Sequence, residues 1–494
     1  MFRHSTSPSS AGHRARRPLT VLCSALVLAG CAQLPDLGQR AQLRTFDAFQ
    51  SRASLTAPAA DWPTEKWWVA YGDPQLDALI DEALRDAPDL AAASARLQQA
   101  DAVMQIAGSA RKPQLSAHAA VTADKLSYNF LTPRDMTPSG WNDYGRASLD
   151  FRWELDFWGK NRAALAAATS QLDAGRAELA QTRLLLSAGI AANYAELSRL
   201  HANRDTAAQA VEIRHKTADL FAQRFAHGLE TRGSQRDADA RRAMAEGALL
   251  AVDEQIALQR NRLAALLGAG PDRGLSIEPP RLKLARGFGL PSELAVNLLG
   301  RRPDVVAARL QAQAQASRIE QKKAEFYPNI NLSAFVGVQS LGLDLLSKSG
   351  SGIGSVGPAI SLPLFNGGRL QGQLRGAHAG YAETVANYNA TVAHALQEVA
   401  DNAVSQKALG QRLLKAQEAV DAATEAHRVA RNRYEGGLAN YLEVLSAEDS
   451  LLHGLNTQTN LSAAALTLDI GLQRALGGGY HAPQHIHSSI KTSS

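Results

Sequence analysis

Two stretches of the chain contain no proline, residues 139–270 and 364–482, and they limit every fold open to it. Proline removes a backbone donor and clashes with the preceding turn, so its absence lets a helix run on without a break. In the first stretch Leu165, Leu172, Leu179 and Leu186 recur every seven residues. In the second Val385, Val392 and Val399 do the same, and Leu413 and Val420 resume the register. This spacing predicts helices packed side by side along a shared seam. Other seam positions, Ala168, Gly175 and Thr182 among them, are small and let backbones approach closely. An unbroken helix over 160–227, or over its counterpart 368–435, reaches roughly 100 Å. A helix of that length does not fold back into one compact globule.

The start of the chain has a different character. Arg14, Arg16 and Arg17 precede the apolar run Leu19 to Leu28, and small residues then lead to Cys31. The pattern is that of a removable targeting segment, and the run is too short to span a bilayer. Leu28-Ala29-Gly30-Cys31 resembles the bacterial lipobox, which implies cleavage before Cys31 and N-palmitoyl and S-diacylglycerol groups on it. The other cysteine, Cys23, lies in the segment to be removed, so the mature chain has no disulfide. Residues 1–30 carry four arginines and no acid, so their loss takes the formal net charge from +5 to +1. The basicity therefore belongs mostly to the signal and gives no support to nucleic-acid binding. Several acyl chains anchor a protein stably where one is marginal, and Ala32 after the cysteine favours the outer membrane.

The remainder repeats itself. Pro88-Asp89-Leu90 matches Pro303-Asp304-Val305 at a shift of 215, which also carries Pro113 onto Pro328. A shift of 209 carries Arg224, Gly228 and Leu229 onto Arg433, Gly437 and Leu438, and Leu267-Gly268 onto Leu476-Gly477. Each half reads helix, strand, strand, long helix, turn, medium helix. The chain divides into a signal (1–30), a lipid-anchored extension (31–73), a first repeat (74–268), a linking or equatorial segment (269–290), a second repeat (291–478) and a polar tail (479–494).

Between the helices lie strands. From Ala147 to Phe157 the odd positions are apolar and the even ones, Ser148, Asp150, Arg152, Glu154 and Asp156, are polar. Leu115 to Ala123 and Ile330 to Val338 alternate likewise, and Val356, Ile360, Leu362 and Leu364 mark a fourth strand. A half-buried soluble sheet alternates in the same way. The lipid anchor, the lack of other strand-rich sequence and the charged face of the second strand favour a barrel with one face to lipid and one to a wet lumen. Four strands are too few to close, and unpaired edges in lipid cost several kcal/mol per group, so several copies must combine. Two chains supply eight strands and three supply twelve, and the strands alone do not choose.

Four further stretches carry a resemblance. They are Trp67-Trp68 with Gly72-Asp73-Pro74-Gln75-Leu76, Arg301-Arg302-Pro303-Asp304-Val305, Phe326-Tyr327-Pro328-Asn329-Ile330, and Arg433-Tyr434-Glu435-Gly436-Gly437 with Asn440-Tyr441-Leu442. With the duplication and the lipobox they resemble the TolC-like outer-membrane efflux factors, in the lipoprotein branch that partners proton-driven exporters. The resemblance covers roughly Trp62 to Gly478. It implies a mainly α protein with a membrane β-barrel: a homotrimer whose twelve strands close one outer-membrane barrel, continued by twelve helices through the periplasm. It implies a passive conduit for small toxic compounds or drugs in a tripartite system, engaged by a periplasmic adaptor protein and an inner-membrane proton-driven transporter. The helical turns that carry Arg224, Gly228, Leu229, Arg433, Gly437 and Leu438 are then the adaptor contacts. Tyr434 and Leu442 match residues that constrict the closed mouth of related channels. Such channels often carry an acid where this chain has Ser446, with Glu448 and Asp449 nearby instead.

Catalytic patterns are missing. Gly352-Ile353-Gly354-Ser355-Val356-Gly357 fits GxGxxG but opens no helix, and reads as an external loop. Asp81 with Glu82, and Glu448 with Asp449, are neighbours on helices whose side chains diverge, and read as solvated faces. His481, His485 and His487 lie in a polar tail that reads as surface. There is no HExxH, no GxSxG and no phosphate-binding loop. The expectation is a channel that is not an enzyme and needs no cofactor beyond the covalent lipid. Two other readings use the same features: an exit duct for secreted proteins, or a non-conducting periplasmic coiled-coil lipoprotein, which has no use for alternating strands.

Overall fold

A computed structural model of the chain describes residues 35–50, 53–129, 132–284, 287–292 and 294–483. The signal segment, Cys31, His485 and His487 lie outside the described residues. In chain order the main elements are α1 (Pro74–Asp86), α2 (Pro88–Ser109), β1 (Gln114–Asp124), β2 (Asn142–Leu155), α3 (Lys160–Ala226), α4 (Arg232–Leu266), α5 (Leu294–Arg301), α6 (Pro303–Ala324), β3 (Asn329–Leu341), β4 (Gly352–Ser361), α7 (Arg369–Glu435) and α8 (Tyr441–Ala475). Helices α3 and α7 each run 67 residues, and α4 and α8 each run 35. No helix among the described residues is long and apolar enough to cross a membrane. The chain packs as two units, each drawn from both halves.

The first unit comprises the described residues up to 42 with 99–172 and 310–385. Its centre is an antiparallel sheet in the order β1-β2-β3-β4. The register lines Leu115, Phe151, Ala334 and Val356 in one row, and Ser116, Asp150, Phe335 and Ser355 in the next. Successive side chains point to opposite faces, so one face is apolar along its length and the other mostly polar. The apolar face is not covered: Leu115, Val121, Leu149, Val336, Val356 and Ile360 are all exposed. On the other face Ser148 Oγ donates to Asp150 (2.8 Å), and Arg146 lies 5.4 Å from the Phe335 ring centre.

Three sequence expectations shift here. Phe157 lies beyond β2, because its amide turns back to Leu155 O. Leu362 and Leu364 lie beyond β4, which ends at Ser361 before Pro363. The GxGxxG segment is not a loop but strand: Gly352 pairs with Val338 and Gly357 with Ser333. Backbone pairing with β3 settles its conformation, and glycine only weakens that preference without abolishing it.

The second unit comprises residues 43–98, 173–309 and 386–483. One core packs Trp67, Trp68 and Tyr71 with Leu76 and Ile80 of α1 against Ile190, Tyr194 and Leu197 of α3 and Leu263 of α4. The Gly72 to Leu76 motif has its physical reason at Asp73. That carboxylate caps α1 by accepting from Gln75 N (3.0 Å), and it also accepts from Tyr194 Oη (2.8 Å) and Arg281 N (2.7 Å). Burial, with Asp73 alongside, pushes the Tyr194 hydroxyl well above its usual range, so it stays a donor. A second core joins Leu298 and Val305 to Val392 and Val399 of α7 and Leu472 of α8. There Arg302 bridges Asp304 (2.6 Å) and Glu398 (2.6 Å), which accounts for the Arg301 to Val305 motif. Of the heptad residues, Leu172, Leu186, Val385, Val392, Val399 and Val420 are buried, while Leu165, Leu179 and Leu413 are half-buried.

One glycine in the sheet is obligatory. A Cβ on Gly337 would stand 2.2 Å from Ala147 O and 2.7 Å from Ser148 Cα, which no rotamer relieves. Gly337→Ala is therefore expected to part β2 from β3 and cut the yield of folded protein severely. The ratio of folded to heat-unfolded bands on a gel run without boiling checks this.

Candidate functional site: the two helical turns

The turn joining α3 to α4 and the turn joining α7 to α8 are built alike. In the first, Leu229 N donates to Arg224 O (2.8 Å) and Gly228 N to Phe225 O (2.9 Å). In the second, Leu438 N donates to Arg433 O (2.8 Å) and Gly437 N to Tyr434 O (3.0 Å). This pair of bonds satisfies the last carbonyls of a helix and needs a left-handed residue, here Gly228 (φ 73°) and Gly437 (φ 75°). The following helices are capped by side chains: Thr231 Oγ1 accepts from Ser234 N (3.1 Å), and Asn440 Oδ1 from Glu443 N (3.1 Å). Leu229 and Leu438 stand exposed at the two tips.

Tyr434, the last but one residue of α7, is only 1% exposed. It packs with Phe221, Ala218, Ala238, Val444 and Leu445, its ring edge-on to Phe221 at 5.2 Å. Arg224 lies over the Tyr434 ring at 4.5 Å and donates to its carbonyl oxygen (3.3 Å). The Tyr434 hydroxyl donates to Glu230 Oε1 at 2.6 Å, tying α7 to the other turn. Burial, and then the Glu230 carboxylate, push the Tyr434 hydroxyl far above its usual range. Burial works against the Glu230 charge, but bonds from Tyr434, Ser234 and the Thr231 amide, with Arg224 nearby, hold its carboxyl below the ordinary value. Leu442 is 56% exposed on the first turn of α8. Arg433 reaches Leu438 O (3.1 Å) and Glu443 (3.4 Å), so it braces its own turn.

Further along the same helices a charged cluster corrects one expectation. Asp449 is exposed, as a solvated face requires, but Glu448 is not. Glu448 is fully buried, and both acids converge on Arg214 of α3. Arg214 Nη1 lies 3.0 Å from Glu448 Oε1, an ion pair off hydrogen-bond alignment, while Nη2 bonds Asp449. Thr217 donates to Glu448 Oε2 (2.8 Å), and Arg241 of α4 holds the far oxygen of Asp449 at 3.0 Å. His427 of α7 is pushed down by burial, with Arg431 and Arg214 adding to it. The physical reason is that a second helix supplies the guanidinium, so two side chains that diverge on α8 still find one partner. Asp81 and Glu82 differ again: each is tied separately, Asp81 to Lys66 (3.2 Å) and Glu82 to Arg273 (2.8 Å).

The sequence did not single out Phe221, Glu230 or Arg214. The shift of 209 carries Glu230 onto Ala439 and Phe221 onto Ala430, so comparison of the halves passes over both. Arg214 lies more than two hundred residues from Glu448 and Asp449, and no pattern in the sequence pairs their helices.

The family described as outer membrane efflux protein matches residues 79–269 and 294–478. The chain is 37% identical to the fusaric acid resistance protein FusA of Burkholderia cepacia over 381 residues, 76% of this chain and 71% of that protein. It is 31% identical to the multidrug resistance outer membrane protein MdtP of Escherichia coli over 471 residues, 94% of this chain and 96% of that protein. Among solved structures, the outer membrane protein VceC of Vibrio cholerae superposes with a TM-score of 0.82 at 48% identity, covering 85% of this chain and 100% of that one.

The charged cluster has a testable pH signature. Burial raises the Glu448 carboxyl above its ordinary 4.5, with Arg214 opposing. A carboxyl raised on folding contributes stability that is fully present below the unfolded pKa and is lost as pH rises through the folded one. Glu448→Gln should flatten this fall above about pH 4.5. Glu448→Ala, which leaves Arg214 without its buried partner, should cost about 3 kcal/mol. Urea unfolding followed by helical circular dichroism over a pH series checks both.

Proposed function

Because the chain belongs to the outer membrane efflux protein family and is an efflux channel component of the outer membrane, we propose that it works as a homotrimer forming one passive, non-catalytic conduit for small toxic compounds. The observation that carries this reading is the sheet. Its apolar face is exposed, and among the described residues β1 and β4 each pair on one side only. In lipid every backbone group must be paired, so the free edge of β1 meets β4 of a second copy, and three copies give twelve strands. Twelve helices, from α3, α4, α7 and α8 of each copy, continue the passage into the periplasm. The equal lengths of α3 and α7, and of α4 and α8, support a duplication. Cys31, acylated by N-palmitoyl and S-diacylglycerol groups, adds a lipid anchor beside the barrel.

The two turns form the periplasmic mouth in this reading. Exposed Leu229 and Leu438, on rigid turns set by Gly228 and Gly437 and flanked by Arg224 and Arg433, suit an adaptor protein that links the channel to an inner-membrane proton-driven transporter. Tyr434 acts from inside the protomer, as a latch through Glu230, whereas Leu442 presents an exposed side chain able to narrow the opening. Drugs and aromatic acids are the candidate cargo, since MdtP is named for multidrug resistance and FusA for fusaric acid resistance.

Deleting the chain should sensitise its host to a panel of toxic compounds, and an adaptor should co-purify with the channel; unchanged sensitivities together with no bound adaptor would end the efflux assignment. In a planar bilayer Leu442→Ala should raise the conductance of the purified trimer several-fold. Tyr434→Phe, which removes the bond to Glu230, should shift the channel toward open events in the same recording, and a trace like that of wild type counts against the latch.

A further inference from the structure

At the end of the sheet where β2 gives way to α3, the apolar face continues past the strand. Trp153 and Leu155 share the side of Leu149 and Phe151, and Phe157 and Trp158 follow, both exposed. Phe365, after β4, is 94% exposed. Trp158 stacks on Tyr327 at 4.8 Å and donates its Nε1–H to Pro328 O (2.9 Å). Aromatic rings with one apolar body and one polar edge, gathered at strand ends, sit where lipid headgroups meet the hydrocarbon.

Beside this collar is an open notch of about 330 Å³ lined by Arg111, Trp153, Glu154, Leu155, Asp156, Phe157 and Arg162. Trp153 Nε1 donates to Arg111 O (3.2 Å), which fixes the floor. The two acids in the lining already have partners. Glu154 is paired with Lys160 at 2.5 Å, and Asp156 caps α3 by accepting from Asn161 N (3.0 Å) and Arg162 N (2.8 Å). Arg111 and its neighbour Lys112 are exposed and, among the described residues, have no ion-pair partner. Arg162 keeps a 3.4 Å contact with Asp156 but its side chain is 60% exposed. A cationic rim thus stands over an aromatic floor.

We propose that this notch binds the headgroup phosphate of an anionic phospholipid in the periplasmic leaflet. Arg111 and Arg162 engage the phosphate, Lys112 adds charge, and the first acyl methylenes lie on Trp153, Leu155 and Phe157. The guanidinium fork matches phosphate oxygens, and net negative lipid is what a rim with an excess of exposed cations selects. The inference rests on the barrel reading above, because it places this end of the sheet at the membrane surface.

The test uses the full mature protein, reconstituted into vesicles of phosphatidylcholine and phosphatidylglycerol, floated on a density gradient, and then extracted for native mass spectrometry. Wild type should retain phosphatidylglycerol over phosphatidylcholine by roughly tenfold, and the Arg111→Ala, Arg162→Ala double variant should fall to near parity while floating equally well and keeping its circular dichroism. Equal retention of the two lipids by wild type, or an unchanged preference in the variant, overturns the headgroup site while leaving the barrel standing. Failure of wild type to float overturns the barrel reading, and the site with it.

Discussion

Hydrocarbon offers no water to an unpaired strand edge, and that single constraint orders the rest of the molecule. A sheet with one apolar exposed face and two open edges is not a finished structure in any solvent. In water the apolar row of Leu115, Phe151, Ala334 and Val356 is a liability, and in lipid the free sides of β1 and β4 are. In the proposed barrel, pairing β1 with β4 of a neighbour would remove the second problem and turn the polar row of Ser116, Asp150 and Ser355 toward an enclosed wet space. A solute path then follows from the same alternation that satisfies the lipid, with no side chain set aside to make it.

The helical turns answer a different demand. Their backbone ends are satisfied within each turn, so neither turn needs the other to fold. What joins them is a small apolar core around Phe221 and Tyr434 with polar contacts set into it: the Tyr434 hydroxyl on Glu230, Arg224 on the Tyr434 carbonyl, and Arg214 between Glu448, Asp449 and the α4 arginine. Buried polar joints depend on distance and alignment, and a displacement that breaks one leaves groups unsatisfied until new partners arrive. An apolar joint would slide and lose its contacts gradually. Polar joints near the turns therefore favour two distinct arrangements over a continuum, which is what the proposed mouth would require.

How far the sequence discloses this differs between elements. Long helices are visible because proline is excluded from them and apolar residues keep a fixed period, and the strands because Ser148, Asp150 and Arg152 alternate with Leu149 and Phe151. The ends of β2 and β4 escape it, since apolar residues such as Phe157 and Leu364 continue the alternation after the ladder has stopped. The glycine-rich strand escapes for the opposite reason, having too few side chains to show a period. Glu448 is the sharper case. Reasoning along one helix rightly separates it from Asp449, but its partner Arg214 is more than two hundred residues away, and periodicity carries no information about which helix faces which.

Comparison of the halves also hides the chemistry it helps to locate. The shift of 209 sets Phe225 opposite Tyr434, and the structure puts the first exposed and the second buried. It sets Glu230, which accepts from Tyr434, opposite Ala439, which cannot. The backbone of the two turns is the same, while the hydroxyl–carboxylate bond between them comes from positions where the halves differ. A donor on one turn and an acceptor on the other make this bond directional within one protomer, and both its residues stand where the repeat is broken, whereas Arg224, which donates to the Tyr434 carbonyl, is matched by Arg433.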